Sequence, residues 1–180
     1  MKIVLRAALA LSLLALASPS LAQGAGFVSL GYAFGSLEPR GASNDASVEA
    51  LQFSFGGWIN PQQTLGAEGR IALGVGSDRI TFEDSTRRKV ELNRYYGAYL
   101  RAQFPNTVPV RPYGLFGATR AETTERHLSS RSRSYQDVSM GLGVDVDLDR
   151  NIYLTLEYLR AVDRSSSQLS NVTIGVGGRF

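Results

Sequence analysis

Seven charged residues sit in a setting unusual for charge. Glu68, Arg70, Arg101, Asp137, Asp145, Glu157 and Arg179 lie among glycine, serine and other small residues, in stretches whose alternate positions are mostly Leu, Ile, Val, Phe or Tyr. Acids and guanidinium groups that share a small-residue face can neutralise one another or line a path for ions. In a low-dielectric interior they must pair, be hydrated or lose their charge. The pattern predicts a salt-bridge network centred on Glu68, Arg70, Arg101, Asp145 and Glu157. The plainer role for it is structural, fixing strand register; the sharper one is a gate whose exchanged pairings open a narrow water path.

Other chemistry-bearing motifs lead nowhere further. Asp145, Asp147 and Asp149 have the spacing that opens a calcium loop, but Arg150 stands where glycine is required and Leu156 where the bidentate glutamate belongs. Gly74 and Gly76, like Gly141 and Gly143, lack the third glycine and the following helix of a phosphate-binding turn. His127, the single histidine, precedes Ser129 by two residues in "ERHLSSRSRS", a base and a hydroxyl in a polar, loop-like segment. No metal, cofactor or catalytic set is expected.

The elements that position the seven charges follow an N-terminal leader. Lys2 and Arg6, an apolar run over residues 7–17, and Pro19 before Ser20-Leu21-Ala22 form the layout of a signal peptide cleaved after Ala22. The run is shorter than the roughly 20 residues of a membrane-spanning helix. Residues 1–22 are therefore expected to be removed and residues 23–180 to form one domain. Losing the leader's two basic residues leaves the charge nearly balanced, so nothing in it argues for nucleic acid. The chain has no cysteine, which excludes disulfides.

Beyond the leader, period-two alternation recurs in eight segments and no helical spacing is sustained. They read "VSLGYAFG", "LQFSFGGW", "LGAEGRIALGV", "YYGAYLRAQF", "VRPYGLFGATR", "DVSMGLGVDVDL", "IYLTLEYL" and "NVTIGVGGRF". The facing of the fifth stays open: Tyr113, Leu115, Gly117 and Thr119 share one parity and Phe116 takes the other, which leaves room for a bulge. The connections alternate. Residues 36–47, 76–90, 121–134 and 161–170 read as long polar loops, whereas residues 60–62, 105–109 and 149–151 read as tight turns. One face carries large apolar side chains and the other glycine, serine and a few charges. Small residues suit a narrow interior better than a water-facing surface. The expected fold is an all-β, eight-stranded antiparallel up-and-down transmembrane barrel, apolar residues on lipid and small and charged ones within.

The stretches "GAEGRIALG", "YYGAYLRAQF", "VRPYGLFGA", "MGLGVDVDLDRNIYLTLEYLRA" and "TIGVGGRF" give a resemblance to the eight-stranded outer-membrane β-barrel family, that of the OmpA transmembrane domain and the OmpX/Ail group. The resemblance implies an outer-membrane location, lipid and lipopolysaccharide as surroundings, and a monomer. It implies that the outer-membrane assembly machinery reads the last strand, where Thr173, Gly175 and Phe180 match the expected pattern and Gly178 replaces an apolar residue. Interface aromatics are expected at Phe104 and Tyr113 on the periplasmic side and at Tyr32, Phe34 and Tyr158 on the outer side. Arg87, Arg88, Lys89, Arg126, Arg131 and Arg133 are candidate contacts for lipopolysaccharide phosphates, although nearby acids equally describe a solvated loop. Some such barrels are lipid A hydrolases that use a His-x-Ser pair on a strand; the corresponding strand here, "LEYLRAV", has neither residue. The favoured expectation is a non-enzymatic structural or surface-interaction barrel, ahead of a low-conductance porin and a lipid A-modifying enzyme.

Overall fold

A computed structural model of the chain describes residues 26–39, 46–75, 77–81, 87–105, 108–126, 130–164 and 167–180. Nine strands follow one another: β1 (Gly26–Pro39), β2 (Ala46–Trp58), β3 (Leu65–Gly74), β4 (Ser77–Thr81), β5 (Arg87–Gln103), β6 (Val110–Arg126), β7 (Ser130–Asp147), β8 (Ile152–Arg164) and β9 (Ser167–Arg179). Each pairs antiparallel with its neighbours, and β9 returns to β1. β3 and β4 both pair with β5, one below the other, so together they make a single stave. The ring thus closes with eight staves, which leaves no open edge in the hydrocarbon, where unpaired amides have no water to bond. At the closure point the Gly26 N–H donates to the Phe180 carbonyl and the Phe180 N–H to the Gly26 carbonyl, each at 3.0 Å.

The faces are inverted relative to a soluble barrel. Leu142 is 72% exposed and Phe116 58%, whereas Asp145 is 1% exposed and Arg70 2%. Outward positions carry the apolar band that lipid covers; inward positions carry the charges and small residues. Because successive side chains alternate, one parity fixes the whole stave. On β6 the inward set is Tyr113, Leu115, Thr119, Ala121 and Thr123, with Phe116 on lipid. Its pairings to β5 and β7 run without a register shift at Phe116, so no bulge is present there.

The long polar stretches are strands over much of their length. β6 and β7 pair continuously up to Arg126 opposite Ser130, and β4 and β5 up to Thr81 opposite Arg87. Backbone hydrogen bonding continues through these extensions after the apolar alternation of the sequence has ended. Two register shifts break the regular pattern, at Leu92/Arg94 in β5 and at Arg160/Val162 in β8.

Candidate functional site

Four arginines and four acids form an unbroken series inside the barrel. Glu157 on β8 receives both terminal nitrogens of Arg70, one at 2.7 Å. Arg70 Nε donates to Glu68 Oε1 at 2.6 Å, and Arg101 Nη1 to Glu68 Oε2 at 3.1 Å. Arg101 Nη2 and Arg179 Nη2 share Asp145 Oδ2, at 2.7 and 2.9 Å. Arg179 Nη1 and Arg111 Nε then hold the two oxygens of Asp147, at 2.5 and 2.6 Å. The series runs from the middle of the lumen, where the side chains of Arg70 and Glu68 are 1% exposed, toward the periplasmic mouth, where that of Arg111 is 30% exposed. Signs alternate and the sum is neutral, so each buried charge has its compensation within hydrogen-bond reach. Six strands contribute: β3, β5, β6, β7, β8 and β9.

Aromatic rings wall in the arginines. Arg101 stacks on Tyr113 at 3.5 Å, Arg179 on Tyr153 at 4.2 Å and Arg70 on Tyr99 at 4.9 Å. Tyr113 also donates to Glu157 Oε2 at 2.8 Å. The rings fit because glycine faces them across the strand pair. A Cβ at Gly143 would lie 2.4 Å from Tyr113 Cζ, and one at Gly177 2.3 Å from Tyr153 Cζ. At the same depth or above, Tyr95, Gln52, Ser54, Asn171, Thr173, Tyr99, Thr119 and Ser139 form a second, uncharged polar layer.

Above this layer the lumen is apolar. Val48, Leu92, Ala121, Leu159, Ala161 and Leu169 belong to one buried cluster, with Tyr135 packed against it. Leu159 and Ala161 are wholly buried, and Leu169 nearly so. The interior is therefore filled in two ways in series: an apolar plug toward the extracellular end and paired charges toward the periplasm.

Of the residues singled out in the sequence, the structure brings Glu68, Arg70, Arg101, Asp145, Glu157 and Arg179 into this series. Asp137 has the inward parity of β7 but lies nearer the extracellular end and outside the series; its carboxylate accepts the Val138 N–H at 2.8 Å. Arg111 and Asp147 complete the series and were missed, Arg111 because the facing of its strand was undecided. Tyr113 is a correction: at 3% exposure it is an interior residue and no part of a periplasmic girdle. Phe104 is 68% exposed beside the Pro112 carbonyl, and Phe34 and Tyr158 are about half-exposed on the outer wall. Thr173 and Gly175 lie on β9, and the Phe180 ring rests over Gly26. The backbones of Arg87, Arg88 and Lys89 begin β5, Arg126 ends β6, and Arg131 and Arg133 open β7. Their side chains, and all of His127 and Ser129, lie outside the described residues. Among the described residues no cluster of acids or histidine is arranged to hold a metal.

A second feature lies at the extracellular end. The β7–β8 ladder stops at Met140 opposite Arg160. Just above it, Ser139 Oγ donates to the Ala161 carbonyl at 2.5 Å, occupying an acceptor that a continuing ladder would use. The β8 register shift falls at the same place, and a bulge re-aims a strand. From Ser130 to Ser139, β7 pairs with β6 and, among the described residues, with no strand on its other side. β4, β5, β6 and β7 thus rise together as a sheet whose outer strands, β4 and β7, are each flanked by a strand on one side only among the described residues.

Comparison with known proteins places this architecture. No curated protein sequence matches the chain. Among solved structures, Ail, the attachment invasion locus protein of Yersinia pestis, aligns at a TM-score of 0.65 and 21% identity over 88% of this chain and 99% of that one. Neisserial surface protein A aligns at 0.63 and 18% over 86% and 97%. The outer membrane protein OprG from Pseudomonas aeruginosa aligns at 0.60 and 14% over 88% and 97%. At these identities the likeness is one of fold. The family described as the outer membrane protein beta-barrel domain matches residues 7–180, and this chain belongs to it: it is an outer-membrane β-barrel with a buried salt-bridge network.

Proposed function

We propose that this barrel is a closed anchor that holds a β-sheet above the outer leaflet for contact with partners, with no catalytic role. The observation that carries the reading is that β7 above Met140 pairs with β6 and, among the described residues, with no strand on its other side, beside a lumen filled along its described length. A strand flanked by a ladder on one side only can template an incoming extended strand on the other. Register brings basic residues to the same end: Lys89 is opposite Arg126, and Arg131 is opposite Glu125. Polyanions are therefore the second class of partner, lipopolysaccharide phosphates among them, with Arg87, Arg88 and Arg133 on the same strand ends. Ail has been crystallised with the heparin analogue sucrose octasulfate, a polyanion, which supports this reading by analogy. Thr173, Gly175 and Phe180 are proposed as the segment read by the assembly machinery, the leader as cleaved after Ala22, and the barrel as a monomer.

The test shortens the hairpin. Residues 122–134 are replaced by an Asn-Gly turn that joins the paired Ala121 and Tyr135, which suits a two-residue hairpin, and the barrel is left intact. Cells bearing the shortened barrel are expected to lose attachment to surfaces coated with extracellular protein. Closure, read by heat-modifiable gel mobility, is expected to persist. Equal attachment by both forms would refute the surface role. Steady ion conductance through the wild-type barrel would favour the porin reading instead.

A further inference from the structure

Each face of β7 beyond Met140 carries a feature that a strand added to its side would meet. The β7–β8 ladder stops at Met140 opposite Arg160, and β8 ends at Arg164. Ser134 lies about 20 Å along β7 from Met140, at roughly 3.3 Å per residue, and so rises past the end of β8. On the outward face, Arg120, Ser134, Gln136, Ala118 and Val138 line a recess of about 540 Å³, which Asp137 borders from the opposite parity. Arg120 leans across from β6, its Nε donating to Ser134 Oγ at 2.9 Å. The next acid along its own face, Glu122, is bonded to Arg94 at 2.8 Å. Among the described residues, Arg120 bonds a hydroxyl and no carboxylate. On the inward face, between Ser134 and Gln136, Tyr135 is half-buried and packs against the apolar cluster that holds Leu159, Ala161 and Leu169.

A strand paired to β7 here sets successive residues opposite Ser134, Tyr135 and Gln136, on the outward, inward and outward faces in turn. Directly opposed Cβ atoms lie about 5 Å apart, so a glutamate opposite Ser134 reaches the guanidinium that already rests on that serine. Guanidinium forks take carboxylates in charge-assisted hydrogen bonds. The residue between meets the tyrosine ring, and aromatic or β-branched side chains pair best with such a ring.

We propose that this stretch of β7 selects an extended protein segment of acid–apolar–acid pattern, its apolar residue against Tyr135 and one acid on Arg120. The selection rests on the strand-pairing reading of β7 and adds to it which segment pairs. The critical variant is Arg120→Gln. Arg120 is exposed and bonds only the exposed Ser134, so its loss removes the charge while the barrel stays closed.

Wild type, Arg120→Gln and the hairpin-shortened barrel are each refolded into phosphatidylcholine nanodiscs, with closure read by heat-modifiable mobility. Fluorescence anisotropy follows the binding of three labelled peptides. One is Ser-Val-Glu-Val-Glu-Val-Ser, the second has glutamine for both glutamates, and the third is all glutamate at equal length. The wild type is expected to bind the first at least about tenfold tighter than either other peptide. Arg120→Gln is expected to bind the first two alike, and the shortened barrel none. Equal binding of the first two by the wild type, lost on shortening, would overturn the selection and leave strand pairing standing. Equal binding of the all-glutamate peptide would mark a site for any polyanion and overturn it too. So would a preference undiminished in Arg120→Gln. Binding of no peptide would overturn the selection together with the strand pairing beneath it.

Discussion

Arg70 holds two carboxylates, those of Glu157 and Glu68, with its side chain 1% exposed. Desolvating three charged groups is expensive, and only their mutual geometry offsets the cost. Removing the arginine alone leaves two like-charged acids facing each other in a dry interior, and of these two Arg101 bonds Glu68 alone. Arg70→Met is expected to destabilise the barrel by about 3–5 kcal/mol, as buried pairs broken from one side do. Adding Glu157→Gln should recover most of that loss, because Glu68 keeps Arg101 and the neutral amide can still accept from Tyr113. Urea titration of the refolded barrel, followed by gel mobility, measures both. If the double variant were no more stable than the single one, the loss would come from packing against Tyr99 rather than from stranded charge.

At the scale of the strand, glycine sets how closely two staves carry their side chains. Gly143 on β7 faces into the lumen opposite Tyr113, whose ring is fixed by Arg101 on one face and by bonds to Glu157 and Thr155. The ring has nowhere to retreat. Gly143→Ala is therefore expected to cost about 1–3 kcal/mol, the usual range for overpacking. Gly114→Ala on the adjoining strand faces outward, where the added Cβ meets Leu142 Cδ2 at an ordinary 3.8 Å, and should change stability by less than about 0.5 kcal/mol. Thermal unfolding of the two variants side by side checks the contrast; equal losses would mean that glycine matters here for backbone entropy and not for the ring. The same alternation decided what the sequence could disclose. Where bulky and small residues strictly alternate, as from Ile71 to Val75, the facing of each side chain was readable, and the same parity carried back to the charges at Glu68 and Arg70. Around Phe116 the inward face carries Tyr113 and Leu115, so size no longer separates the faces, and Arg111 went unnoticed with them. Ala121, Ala161 and Leu169 fell in stretches too polar to read as strands. What continues β6, β8 and β9 there is backbone pairing, which leaves no hydropathy signature.

For the whole barrel, the arrangement of two different fillings decides whether charge exchange can open it. Paired charges occupy the periplasmic half, and exchanging their partners would give ions a place to rest. The apolar cluster around Leu159 and Leu169 lies beyond them on the route to the extracellular side. An ion that reached the polar layer would still have to enter a packed hydrocarbon region, where unpaired charge is strongly disfavoured. Eight staves leave an interior just wide enough for side chains, so neither filling can be bypassed. The expected behaviour in planar bilayers follows. Wild type and Arg101→Ala should both be silent, Leu159→Gly should be silent because the paired charges remain, and only Arg101→Ala combined with Leu159→Gly should pass resolvable current. Current from Arg101→Ala alone would show that the apolar plug does not seal, and that the charge series is itself the gate.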